Sequence, residues 1–170
     1  KNLRIMELPE DWMQSRPAGF DCKRIQGGWL MQDWDMGKET DWRPLVRNPS
    51  TEESRALRFA WAVCRNVKSN GICLARIEGP GVVLNGVGAG QMSRVDSVRL
   101  AVQKATRPTP GSVLASDAFF PFADGVKLAV EAGVSAIVQP GGSIRDAEVI
   151  DTASAAGVAM VMTDVRHFRH

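Results

Sequence analysis

Histidine is scarce in this 170-residue chain: there are two, His167 and His170, and both lie in the last four residues. Imidazole catalysis within the chain would therefore have to come from the tail. Cysteine is also sparse. Cys22, Cys64 and Cys73 contain no CxxC pair and give an odd count, which argues against a disulfide framework and for reduced, mostly buried thiols in a cytosolic protein. No apolar run approaches the roughly 20 residues that a membrane span needs. Charge of one sign is lacking as well: 21 Lys and Arg against 19 Asp and Glu leave a net charge of +2, mixed along the chain. Neither a nucleic-acid stripe nor a membrane-binding surface is expected. No signal peptide is visible. The chain opens on Lys1 rather than methionine, so residues are expected to have been removed or to be missing upstream.

What remains is a globular composition, 44% hydrophobic and 24% charged, long enough for one ordinary domain with a sizeable core. Residues 1–50 read as an irregular N-terminal segment packing on that domain. They hold Trp12, Trp29, Trp34 and Trp42, with Arg24 to Trp34 read as one strand. Residues 51–170 are patterned more sharply. Ser50-Thr51-Glu52-Glu53 is a capping box, and Leu57, Ala60, Trp61, Cys64 and Val67 follow at helical spacing. Ile72 to Ile77 and Val82 to Val87 read as an antiparallel strand pair turning at Glu78-Gly79-Pro80-Gly81. Ser93 with Asp96 opens a second helix, with Val95, Val98, Val102 and Ala105 as its apolar face and Pro108 and Pro110 to end it. Val113 to Ser116, Ala136 to Gln139 and Ala159 to Thr163 are apolar runs expected of strands covered on both faces. Helices between them start near Asp124 and Ser143, the latter with Asp146 in a second cap signature, and close at Gly133 and Gly157. This is an α/β fold: a three-layer domain, its mixed sheet holding one antiparallel pair and a parallel remainder, with helices on both faces.

Three segments follow strand ends, where an open α/β sheet lines a ligand crevice: Ala115 to Gly125, Gln139 to Asp146, and the terminal Arg166-His167-Phe168-Arg169-His170. Bulky aromatics, a glycine turn and a basic tail together point to a pocket for a flat, anionic small molecule. Each piece also has a plainer explanation. Asn70 ends a helix, where an Asn is usually an αL cap. Asp124 is most simply an N-cap. One or two of Phe119, Phe120 and Phe122 belong in the core, and Pro121 limits how many can point inward. Gln139 to Ser143 is ordinary turn chemistry, or a wall of free amides facing a ligand. The basic end is a frayed terminus, unless Phe168 docks it. Gly86-Val87-Gly88-Ala89-Gly90 serves close strand–helix packing or anion binding, and Arg94 in the next helical turn favours the second. The GxGxG spacing, with no acidic residue about 20 positions on, argues against a dinucleotide-dependent oxidoreductase.

The element order matches the cytidine-deaminase-like fold. By resemblance, deaminases of that fold place zinc ligands at the starts of the second and third helices. Here those places hold Gly90 to Ser93 and Phe119 to Asp124, without thiol or imidazole, so no zinc site is expected.

Val67 to Asn70, Gly88 to Asp96, Ser116 to Asp124, Pro140 to Asp146 and Val165 to His170 together resemble the aminoimidazole carboxamide ribonucleotide (AICAR) formyltransferase family. This is the transformylase part of the bifunctional purine-biosynthesis protein that also carries inosine monophosphate cyclohydrolase, and the chain looks like its second, C-terminal subdomain. The resemblance implies formyl transfer from 10-formyltetrahydrofolate to the amino group of AICAR. Asn70 and Asp124 then stand around the reacting amine. Arg94, Phe119, Pro121, Phe122, Arg166 and His170 bind substrate, and Pro140, Gly141, Gly142 and Ser143 belong to the folate wall. A monovalent cation, K+, is expected near Asp117. Active sites of the family form at dimer contacts, so a homodimer or a complementing subdomain is the expected partner. The family's Lys-His catalytic pair has no counterpart, since no Lys-His dipeptide occurs here. That leaves a second possibility open, a module that holds AICAR or folate without catalysis.

Overall fold

The computed structural model describes Arg4, Glu7, Pro9 and residues 19–35 and 42–169. Trp12 and His170, both singled out above, lie outside the described residues. Contacts divide the chain into two units, Lys1–Met36 and Gly37–His170. The segment from Trp42 to Ser50 thus falls with the second unit.

In the first unit, β1 (Phe20–Ile25) and β2 (Gly28–Asp33) pair antiparallel, with Arg24 opposite Trp29. The single strand expected from Arg24 to Trp34 is instead broken by a hairpin turn, with Arg24 and Ile25 ending the first arm and Gly28 to Asp33 forming the second. Gly27, at φ 84°, makes the turn between the arms, a conformation that glycine adopts without a Cβ penalty.

The second unit is a six-stranded mixed sheet in the order β3-β8-β7-β6-β4-β5. Its strands are β3 (Arg43–Pro44), β4 (Ile72–Glu78), β5 (Gly81–Gly88), β6 (Val113–Ser116), β7 (Ala136–Gln139) and β8 (Ala159–Met162). The helices are α1 (Thr51–Cys64), α2 (Arg94–Gln103), α3 (Asp124–Glu131) and α4 (Asp146–Ala155). β6, β7 and β8 run parallel, as their apolar sequences imply. β4 is antiparallel to both β5 and β6, and β3 is antiparallel to β8, so the sheet has more antiparallel pairing than the single pair expected.

Strand alternation sorts the core into two layers. Ile72, Leu74, Leu114, Ile137, Met160 and Met162 face one cluster, which takes Val98 from α2, Val126 and Ala129 from α3, and Val149 and Ala153 from α4. The alternate residues Cys73, Ala75, Ala115, Ala136, Val138 and Ala159 are small and meet Leu57 and Trp61 of α1. One helix carrying a buried tryptophan fills the space that these short side chains leave. The capping box holds α1: Ser50 N donates to Glu53 Oε2 at 2.8 Å, and Glu53 N donates to Ser50 Oγ at 3.1 Å.

α2 departs from its expected face. Its buried residues are Arg94, Ser97, Val98 and Ala101, while Val95 and Val102 are only half-buried. The cause is the glycine pair of β5. A Cβ on Gly88 would stand 1.9 Å from the Ser97 carbonyl oxygen, and one on Gly86 would stand 2.1 Å from that of Ala101. Two strand residues span about 6.6 Å and four helical residues about 6 Å, so the glycines match successive helical turns. Backbone thus packs on backbone, and the glycine segment is explained by packing.

Candidate functional site

The strand ends open onto a cleft of about 480 Å³ lined by Asn70, Arg94, Phe119, Pro121, Phe122, Asp124 and Arg166, with Met92, Ser93, Val95, Ala118 and Phe168 completing its wall. Four stretches distant in sequence build it: the link from α1 to β4, the start of α2, the β6–α3 segment, and the tail. A second hollow, of about 360 Å³, lies between Arg47, Glu53 and Arg76 and contains none of the expected site residues.

The β6–α3 segment divides its phenylalanines by direction. Phe120 is fully buried, and its amide donates to Gln139 Oε1 at 2.9 Å. Phe119 is half-buried and Phe122 is 49% exposed, both on the cleft. The Arg166 guanidinium lies 5.5 Å over the Phe119 ring, and that of Arg145 lies 4.8 Å over Phe122. Arg145, not singled out from the sequence, thus reaches the rim of the cleft. Each pair offers an aromatic face beside a cation, a surface suited to a planar ring carrying negative charge.

Asp124 is exposed at the first position of α3, with Ala123 in the cap position. It does not cap that helix across a turn. Its Oδ1 accepts from the neighbouring Gly125 amide at 2.7 Å, and the residue lines the cleft.

The tail docks. His167 is the buried anchor, 1% exposed, with its ring 4.8 Å from Trp61 and its amide donating to the Asp117 carbonyl at 2.9 Å. Ser69 N donates to the Arg169 carbonyl at 2.9 Å. Alternation then turns Arg166 and Phe168 outward to the cleft. An extended segment with one inward side chain between two outward ones looks, in sequence, the same as a frayed end.

Pro140, Gly141, Gly142 and Ser143 do not line this cleft. The free amides expected there are engaged: Gly142 N donates to Asp146 Oδ2 at 2.7 Å and Ser143 N to Asp146 Oδ1 at 3.1 Å. α4 accordingly begins at Asp146 with no side-chain cap from Ser143. The loop still comes near the cleft, since a Cβ on Gly142 would stand 3.9 Å from Arg166 Nη2.

Arg94, on the cleft wall, forms a buried ion pair with Asp117. Arg94 Nη1 donates to Asp117 Oδ1 at 2.5 Å and to Ser116 Oγ at 2.8 Å, and Nη2 donates to Asn70 Oδ1 at 2.9 Å. Ser69 Oγ donates to the other Asp117 oxygen. The Asp117 charge is thus balanced by Arg94 and both oxygens have partners. As arranged, these residues do not call for a cation. Asn70 is held from a second side as well, its Nδ2 donating to the Gln91 carbonyl at 2.9 Å. Among the described residues, no group of three or more His, Cys, Asp and Glu could hold a metal ion. A hydrogen bond with Cys73, reinforced by burial, pushes the Cys64 thiol well above its ordinary value, which suits a structural rather than a nucleophilic cysteine.

No helix among the described residues is long and apolar enough to cross a membrane. Residues 1–104 match the family model described as the AICARFT/IMPCHase bienzyme. Relatives named "Bifunctional purine biosynthesis protein PurH" align with the whole chain. Those from Acidithiobacillus ferrooxidans and Streptococcus mutans are 52% identical over 176 residues and 49% over 173, and that from Sorangium cellulosum is 51% identical over 178. The chain spans about a third of the length of these relatives, 33%, 33% and 32% respectively. With its fold, its cleft and these matches, the chain belongs to the AICARFT/IMPCHase bienzyme family.

Proposed function

We propose that this chain supplies the C-terminal half-site of a transformylase in purine biosynthesis, acting in formyl transfer from 10-formyltetrahydrofolate to the amino group of AICAR. The observation that carries this reading is the single cleft joining Asn70, the Phe119–Asp124 segment and Arg166. The order of strands and helices supports assigning the second unit to the cytidine-deaminase-like fold.

The AICAR amine is conjugated with its ring and carboxamide, so it is a poor nucleophile. Attack on the formyl carbon needs tight positioning, a proton acceptor and a donor for the developing oxyanion. Phe119, Pro121 and Phe122 form the shelf for the imidazole ring. Arg166, cationic beside Phe119, favours the anionic end of the nucleotide. Asn70 and Asp124, both on the cleft, stand around the reacting amine by resemblance, and His170 joins the substrate-binding group on the same ground. The loop from Pro140 to Ser143 stands as the folate side, reached through Arg145 and Arg166. The Lys-His pair comes from a complementing subdomain, in a cytoplasmic enzyme. The absence of Lys-His from this chain favours one other reading, a module that binds AICAR or folate without transfer.

Mixing the chain with AICAR and 10-formyltetrahydrofolate and following tetrahydrofolate release tests these readings. Transfer by this chain, alone or on addition of a Lys-His-bearing transformylase subdomain, is the expected result. AICAR binding with no transfer in either case would leave the binding module standing. Failure of the chain to bind either AICAR or folate in any combination would overturn both.

A further inference from the structure

The resemblance makes Arg94 a substrate-binding group, but its surroundings give it a different task. The side chain is 6% exposed and its partner Asp117 is 0% exposed. Its guanidinium donates to Asp117, to Ser116 and to Asn70, which commits three of its five N–H donors to the protein. Asn70, in contrast, has its amide between two partners of opposite kind. The guanidinium has only donors and the Gln91 carbonyl only accepts. If the amide turned over, Nδ2 would face a guanidinium and Oδ1 would face a carbonyl oxygen, two repelling contacts in place of two bonds. The neighbours thus settle an orientation that atom positions alone leave ambiguous.

Resting on the proposal that this cleft binds substrate, we propose that Arg94 is a positioning residue: held by Asp117 and Ser116, it fixes the Asn70 amide so that the group offered to the cleft is an N–H donor. Of the two Nδ2 hydrogens, one goes to Gln91 and one remains. A cation on Oδ1 also draws electron density from the amide and strengthens that remaining donor. Its complement is an acceptor oxygen on the ligand, such as a formyl or carboxamide carbonyl. A proton acceptor at this position would have the wrong polarity, so general-base work falls to another group.

The side-chain NH2 signals of Asn70 in the nuclear magnetic resonance spectrum report this directly. In Arg94→Lys, with the backbone spectrum otherwise retained, those signals shift and their exchange protection falls about tenfold or more, since a compact ammonium lacks the planar fork that reaches Asp117, Ser116 and Asn70 together. Unchanged Asn70 signals would overturn the proposal, whatever the chain binds. If Arg94→Lys does not fold, Asp117→Asn serves for the same measurement, because it keeps the shape but releases the guanidinium.

AICAR titration supplies the second readout. Arg94→Lys and Asn70→Ala each weaken binding about tenfold, and the double variant also by about tenfold, because both remove one hydrogen bond. A hundredfold loss in the double variant would mean that Arg94 touches the ligand itself, and would overturn the positioning role. If the wild-type chain binds neither AICAR nor folate, the proposed function fails, while the Asn70 signals still decide the role of Arg94.

Discussion

Arg47 grips Glu53 with both arms of its guanidinium, Nη1 to Oε2 at 2.8 Å and Nη2 to Oε1 at 2.7 Å. Glu53 is also the acceptor of the α1 capping box, and Arg47 reaches on to the carbonyls of Ser135 and Gly157. One ion pair thereby ties the start of α1 to the segments entering β7 and β8.

The pair gives stability a defined pH dependence. The Arg47 hydrogen bonds lower the Glu53 carboxyl from 4.5 to about 2, against burial, which raises it, and with help from the Ser50 amide. The folded value lies below the unfolded one, so the contribution is complete above pH 4.5 and is lost as pH falls toward about 2. The full shift would correspond to about 3 kcal/mol. Arg47 is 39% exposed, and solvent screening reduces the contribution to about 1–2 kcal/mol. Urea denaturation of Glu53→Gln should show that loss at pH 7 and a gap from wild type that closes as pH falls through about 2. A constant gap across that range would remove the ion pair from the account.

Gly88→Ala and Gly86→Ala should act on stability. The new methyl would meet helix backbone, which cannot rotate away, and overpacking of this kind costs about 1–3 kcal/mol or more. For a chain of this size, that lowers the melting temperature by roughly 3–12 °C. Retained melting temperature with lost ligand affinity would return these glycines to a ligand-binding role.

This glycine pair also marks what sequence reading reaches. Positions whose identity follows from one element were legible: the Ser50–Glu53 box, the β4–β5 turn, the apolar runs of β6 to β8, and the left-handed glycines at 133 and 157, with φ 80° and 67°. Most of the cleft was legible too, because strand-end position places Phe119 to Asp124 and Arg166 on one side of the sheet. Contacts between elements were not. The buried face of α2 depends on which residue of β5 lacks a Cβ, and apolar periodicity carries no information about that. Asp146 captures the Gly142 and Ser143 amides, and His167 anchors the tail. Both outcomes are set by geometry across the fold.

The three phenylalanines of the β6–α3 segment should separate cleanly. Phe120→Ala opens a cavity between α3 and the sheet and should cost about 3–5 kcal/mol. Phe122→Ala removes a ring that is already half in solvent and should cost less than about 1 kcal/mol, in line with surface substitutions. Yet Phe122→Ala should weaken AICAR or folate binding about tenfold, through loss of an aromatic face worth roughly 1 kcal/mol or more. Paired measurements of melting and ligand titration check this. Unchanged affinity in Phe122→Ala would remove that ring from the proposed shelf.

Asp124 offers the sharpest division between scaffold and chemistry. Its carboxylate accepts only from the adjacent Gly125 amide among the contacts that define the start of α3, and the side chain is exposed on the cleft. Replacement by alanine removes a local hydrogen bond and a favourable charge at a helix N-terminus, together about 1 kcal/mol. Asp124→Asn keeps the acceptor for Gly125 and should lose less than half of that. If the carboxylate faces the reacting amine, both variants lose turnover in the assembled transformylase by about a hundredfold, the range for removing a positioned acid or base. Asparagine then restores the melting temperature without restoring the rate. Rate and stability recovering together in Asp124→Asn would make Asp124 a helix-start residue with no part in the transfer.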